Sequence, residues 1–262
     1  MERDFTAAHI AEELKCCRAG EVADDVRLRK EHEGFDVLGL EDYGVVVGYV
    51  ERNSLKSGFC NDYKQPFSPT DLITESTPLG TLLPILRDNP RVFVLKHNHV
   101  SGIVTCGDLQ KAPIRMWLFG LVTILEMNFL QLIRVHYPND SWRALLTDKR
   151  VCNAGKLLSE RRKRNEEIDL ADCLQFADKR RIIIECLQIR EGIELKPKTV
   201  GKSLLVRIER MRDKLAHGQK LTVGSSWPEV INLAELTENL LIRCEQYLET
   251  SRLQEEAEYA RN

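Results

Sequence analysis

RVFVLKHNHVSGIVTCGDLQ, residues 91–110, holds two short apolar runs, RVFVL (91–95) and VSGIVT (100–105), on either side of a polar KHNH turn. β-Branched and aromatic residues bounded by turn formers read as strands, and GDLQKAP after them reads as the start of a helix. Upstream, FDVLGLEDYGVVVGYVERNSL (35–55) has the same layout: two apolar runs around an EDYG turn, then RNSL as a helix start. GYVERNSL (48–55) aligns with GIVTCGDL (102–109), which makes this an internal repeat. Between the copies, DLITESTPLGTLLPIL (71–86) supplies a short strand and a helix.

Beyond Pro113 strand-like alternation stops and helical periods take over. Helices are expected from Ile114 to about Val135, from Trp142 to about Arg164, and from about Leu170 to Arg190. A fourth is capped by Thr199 and ended by Gly218, and a last one runs from about Pro228 to Leu253 with Ser226 as its cap. The expected fold class is α+β, an α/β repeat unit over residues 1–113 and an all-α bundle over 114–255, with 256–262 as a disordered tail.

The chain's 262 residues and 43% apolar content suffice for two cores. The net charge of -2 is a cancellation: 1–113 carries 13 Lys+Arg against 18 Asp+Glu, 141–221 carries 20 against 12, and 222–262 carries 3 against 8. A basic middle between acidic ends points to a polyanionic partner. MERDFTAAHIAEEL has no signal-peptide core, and MWLFGLVTILEMNFLQLI (116–133) is interrupted by Glu126, Asn128 and Gln131, so a cytoplasmic protein with a buried helix there is expected. The eight cysteines form no CxxC pair, and His97 and His99 belong to a turn, so neither a disulfide framework nor a metal site is expected.

Thr105 and Asp108 place a hydroxyl and a carboxylate three residues apart where a strand feeds a helix. That spacing suits either a nucleotide, with phosphate at Thr105 and the helix N-terminus and ribose hydroxyls gripped in pairs by Asp108, or plain helix capping. The paired stretches resemble two CBS repeats over about residues 15–113, a module that in its family often binds adenine nucleotides or adenosyl compounds. The resemblance implies Thr105 on the phosphate side, Asp108 on the ribose side, Gly102 in the strand beside them, and Ile73 where backbone meets the base. In the first copy Glu51 stands at the place of Thr105 and Ser54 at that of Asp108, so at most one working nucleotide site is expected.

ERRKRNEE (160–167) is adequately explained by cations favoured at a helix C-terminus, with RNA contact as the sharper alternative. KTVGKSLL (198–205) contains GKS, but Lys196 stands where a phosphate loop needs glycine and no strand precedes it, so a Walker site is rejected. In RIERMRDKLAHGQKL (207–221), Leu204, Ile208, Met211 and Leu215 form one apolar stripe. Arg212 and His217 flank that stripe about 140° apart at roughly 100° per residue. They can share a cleft only if the helix ends near Gly218 or a second chain contributes. Asp213, four residues before His217, is placed to orient its ring.

RDKLAH resembles the R-x4-H motif of the HEPN superfamily of metal-independent endoribonucleases, whose helical domains act as dimers. The resemblance implies that His217 moves a proton and Arg212 stabilises charge on phosphate, with Asp213 and Gln219 in support and a 2′,3′-cyclic phosphate product. The combined expectation is a homodimeric ribonuclease that needs no cofactor and no metal. It would act on RNA such as tRNA and be regulated by AMP, ADP, ATP or an adenosyl compound. The alternative is a non-catalytic nucleotide sensor whose bundle serves dimerisation or docking.

Overall fold

In the computed structural model, residues 5–259 are described, and the chain divides into two compact units, Met1–Arg115 and Met116–Asn262. The fold class is α+β.

The first unit is built on β1 (Glu12–Glu13), β2 (Cys16–Arg18), α1 (Ala23–Leu28), β3 (Val37–Asp42), β4 (Val45–Glu51), β5 (Leu72–Thr74), α2 (Leu79–Asp88), β6 (Arg91–Lys96) and β7 (His99–Thr105). One sheet has the order β2-β3-β4 and the other β1-β7-β6-β5. In each repeat a parallel pair (β2 with β3, β5 with β6) leads into an antiparallel hairpin (β3 with β4, β6 with β7). The hairpins turn on Tyr43-Gly44 and His97-Asn98, all four at positive φ, the backbone that matches the right-handed twist of flanking strands. Each also shifts register once, between Leu40 and Glu41 and between Val94 and Leu95. The helix starts expected at RNSL and GDLQ are corrected to short 3-10 turns, Arg52–Ser54 and Cys106–Gln110. These tight turns deliver Leu55 and Leu109 into the core, both fully buried.

The helical part comprises α3 (Ala112–His136), α4 (Asp148–Arg162), α5 (Phe176–Glu185), α6 (Leu187–Gly192), α7 (Lys198–Ala216) and α8 (Trp227–Tyr259). α3 is long and apolar enough to cross a membrane, with 44% of its most apolar window buried. Trp117, Leu121, Leu125, Phe129 and Leu132 are in the core, and Glu126, which breaks the apolar run, accepts from the buried Lys179 of α5 at 2.9 Å.

Several expected helix ends shift. Trp142 does not open a helix; it is buried within a 3-10 segment, Pro138–Leu145, where Asn139 and Asp140 take positive φ, and α4 begins only after Thr147. The expected helix over 170–190 is broken at Cys186, whose backbone is extended. α7 is capped by the extended Pro197 and leaves Thr199 in its first turn, and its buried stripe begins at Gly201 and Leu205, with Leu204 half-buried. At Gly201 a Cβ would meet the Leu195 carbonyl at 2.9 Å, so this glycine of GKS lets the chain pack against the helix. α8 runs through Tyr259, so the expected tail is helical over 256–259, and 260–262 lie outside the described residues.

Candidate functional site

A cleft of about 420 Å³ opens in the first unit where the segment joining β1 and β2, the chain before β3, the start of β6 and the end of β7 converge. Thr105 and Asp108 stand on one wall, and the cations Lys15 and Arg91 on the others. β7 ends at Thr105 because its backbone N–H turns to Asp108 Oδ2 (2.7 Å), which also accepts from the Thr105 hydroxyl (3.0 Å), while Gly107 N–H donates to Thr105 Oγ1 (3.2 Å). This is a reciprocal cap, two orphan donors satisfied at once. Asp108 Oδ1 pairs with Lys111 Nζ at 2.8 Å, and Lys111 also donates to the Ile10 carbonyl (2.6 Å) and pairs with Glu12.

A carboxylate offers about four lone-pair directions, and three of those on Asp108 are taken. The expected paired grip on two ribose hydroxyls is therefore corrected: one acceptor direction remains, and a second needs Lys111 to move. The capping and nucleotide readings of the motif coexist in this geometry, since the capped turn is also the cleft wall.

Gly102 and Ile73 do not line this cleft. Gly102 sits opposite Glu13 in the β1 and β7 pairing, where a Cβ would meet the Glu12 carbonyl at 3.2 Å, so it is the gap that admits β1. Ile73 is buried opposite Val94 inside the sheet. The resemblance placed the backbone of Ile73 against the base and Gly102 beside Thr105; in the folded strands both also have a packing role.

The first copy is organised differently. Glu51, at the place of Thr105, makes no capping bond and instead pairs with Arg91, whose guanidinium also lies over the Tyr49 ring at 5.3 Å. Ser54 is exposed. Arg91 escaped sequence reasoning, although a signal existed: the first copy has Val37 where the second has Arg91, a departure complementary in charge to that of Glu51. Burial raises the thiol pKa of Cys16, Cys17, Cys60, Cys106, Cys173 and Cys244, opposite to what a thiolate nucleophile requires.

At the end of α7 the second candidate motif is partly exposed, Arg212 half-buried and His217 open to solvent. Arg212 donates to the Asp213 carboxylate at 3.0 Å. His217 is exposed and forms the C-cap, its backbone N–H donating to the Asp213 carbonyl at 3.0 Å, before Gly218 at φ +65. Gln219 N–H closes the turn on the Lys214 carbonyl at 2.9 Å. No hydrogen bond joins Arg212 to His217 among the described residues, and Asp213 engages Arg212 rather than the His217 ring. The expectation that Asp213 orients the imidazole is thus corrected; the adjacent guanidinium reaches the carboxylate first. Among the described residues no group of three or more His, Cys, Asp or Glu is arranged to hold a metal.

Neither a protein-family model nor a curated protein matches this chain. Solved structures are similar to it. A CBS domain of a bacterial CNNM/CorC family Mg2+ transporter in complex with ATP has 14% identity and a TM-score of 0.35, over 41% of this chain and 85% of that one. A hemolysin-like protein containing a CBS domain, from Oenococcus oeni PSU, has 13% identity and a TM-score of 0.34, over 41% and 89%. The CNNM/CorC CBS domain in complex with the inhibitor IGN95a has 14% identity and a TM-score of 0.34, over 41% and 75%.

Proposed function

We propose that the first unit is a CBS pair that senses an adenine nucleotide in the Thr105–Asp108 cleft and that the helical unit is the output. One observation carries the reading: two like repeats converge on a cleft of about 420 Å³ lined by a capped turn, the buried Asp108 carboxylate and the cations Lys15 and Arg91, each paired with a glutamate, with Glu12 and Asp36 also in the lining. Phosphates would meet Thr105, the Gly107 turn, Lys15 and Arg91, and a ribose hydroxyl would take the remaining acceptor direction of Asp108. The test is a thermal-shift titration with AMP, ADP and ATP. Wild type gains stability with at least one of them, Asp108→Ala loses the gain and Ser54→Ala keeps it. No shift with any nucleotide removes the sensor.

For the output, the half-buried Arg212 and the exposed His217 beside the Gly218 turn support a metal-independent ribonuclease formed by two copies of this chain. One His217 takes the proton of a ribose 2′-OH, the 2′ oxygen attacks phosphorus, and the bond to the 5′ oxygen breaks. His217 of the second copy protonates that leaving oxygen while Arg212 holds the phosphate charge. Incubation with tRNA in chelator yields 2′,3′-cyclic ends for wild type and none for His217→Ala or Arg212→Ala. Intact RNA with wild type, or equal cleavage by folded variants, leaves the sensor with a docking bundle instead.

A further inference from the structure

The flank of α7 turned away from Arg212 carries a second cleft, of about 550 Å³, well inside the range of roughly 300–1,000 Å³ in which small-molecule sites fall. Its floor is apolar: Met211, Leu221, Val230 and Leu233 are all buried. Its rim is cationic: Arg207, Arg210 and Lys214 fall at i, i+3 and i+7 and so stand in a row on one face of α7. Lys214 has a structural task, donating to the carbonyls of Leu221 (3.1 Å) and Val223 (2.6 Å), which fixes the loop forming the opposite wall. Its charge remains in the cleft.

Glu229 is the one acid among the lining residues. Its carboxylate is committed to Ser226, accepting from the backbone N–H at 2.7 Å and from the hydroxyl at 3.0 Å. Those bonds, with Arg207 adding a charge contribution, hold its carboxyl below the usual range. Arg207 and Arg210 line the same space as this apolar floor, and Asn232 adds an amide to the lining. Paired guanidiniums match phosphate oxygens, a thioether floor accepts an aromatic ring, and an amide can donate to and accept from a base edge.

We propose that this cleft binds a nucleotide unit, its phosphate held between Arg207 and Arg210 and its base laid on the Met211 and Leu221 floor. The unit is either a free mononucleotide or one residue of a single-stranded RNA. The site lies about 140–160° around α7 from Arg212 at roughly 100° per residue, and it stands whether or not RNA is cut.

The test uses the full chain with His217→Ala, so that any strand stays intact, and uridine probes, so that an adenine site in the first unit is not engaged. A short fluorescein-labelled oligouridylate is followed by anisotropy and UMP by calorimetry. Arg207→Ala with Arg210→Ala weakens the responding probe about tenfold or more and flattens the salt dependence of strand binding by about two ions. Arg207→Lys with Arg210→Lys recovers part of the affinity by restoring charge without the planar fork, and decides the matter if the alanine pair unfolds by circular dichroism. Saturable UMP binding that the arginine variants lose identifies a free nucleotide, and a response to the strand alone identifies RNA. Unchanged binding in both arginine variants, or no binding of either probe, overturns the proposal. Cleavage of tRNA by wild type is scored separately, so this site and the ribonuclease reading fail independently.

Discussion

The two repeats of the first unit share a backbone and differ at three positions that border the cleft, Thr105, Asp108 and Arg91 against Glu51, Ser54 and Val37. Both run a parallel strand pair into a hairpin with a two-residue turn at positive φ and one register shift, and both bury a leucine, Leu55 or Leu109, just beyond the last strand. The second copy ends its hairpin in a satisfied cap, Thr105 with Asp108, facing an open cleft. The first ends in Glu51, whose carboxylate reaches across to Arg91 of the second copy. An ion pair that is mostly withdrawn from water needs its partner, because a lone charge there has lost hydration without compensation. So the departure in one repeat is locked to a departure in the other: the first copy supplies the carboxylate, Glu51, and the second the cation, Arg91.

The largest test of that equivalence is in the core. Leu55→Ala and Leu109→Ala are each expected to cost about 2–5 kcal/mol, measured by urea unfolding. A loss confined to one of them breaks the claim that the repeats share one packing scheme. Next come the glycines that admit a crossing segment. A Cβ at Gly48 would sit 2.6 Å from the Gln65 carbonyl, against 3.2 Å from the Glu12 carbonyl at Gly102. Gly48→Ala is therefore expected to cost roughly 2–3 kcal/mol and Gly102→Ala about 1 or less; the reverse order contradicts this account of both.

Smaller still is the difference between the caps. Asp108→Ala removes two accepted hydrogen bonds and the Lys111 partner, for about 1–2 kcal/mol, while exposed Ser54→Ala stays within about 0.5 kcal/mol. Installing Thr at 51 and Asp at 54 sharpens the comparison: nucleotide stoichiometry rises from one to two if the cap and the missing ion pair are what separate the copies. The least effect is in the charge ties of the first repeat. Burial pushes the Glu21 carboxyl up, but the Arg18 N–H (2.7 Å) and the Arg29 guanidinium (2.6 Å) outweigh it and hold the group below its ordinary value. A carboxyl lowered on folding stabilises above its unfolded pKa of about 4.5, and that contribution is lost as pH falls through the folded value. Glu21→Gln should cost under about 1 kcal/mol near pH 7 and nothing at pH 2, read from thermal melts at both.

Much of this was legible in the chain. Period-two apolar runs, turn residues and the alignment of 48–55 with 102–109 located both hairpins, because strand patterning and turn chemistry are local. The Thr105 and Asp108 spacing located the cap for the same reason. Helix boundaries were less legible: the burial of Trp142 and the break at Cys186 depend on what other elements bring against them. The residues that the resemblance assigned to the ligand occupy different places. Thr105 and Asp108 face the cleft, whereas Gly102 and Ile73 pack strands, a distinction that depends on which face of the sheet is covered.

What the sequence determined by itself is therefore the repeat, the strand and helix character of the two halves, and the spacing of Thr105 and Asp108 that allows a reciprocal cap. Each follows from interactions within a few residues. Only the tertiary structure decided that Arg91 answers Glu51, that Lys179 meets Glu126, and that Arg207 and Arg210 border a cleft with Leu221 and Leu233. Where a charged side chain finds its partner depends on distances through space across the folded chain, which no spacing along one strand or helix encodes.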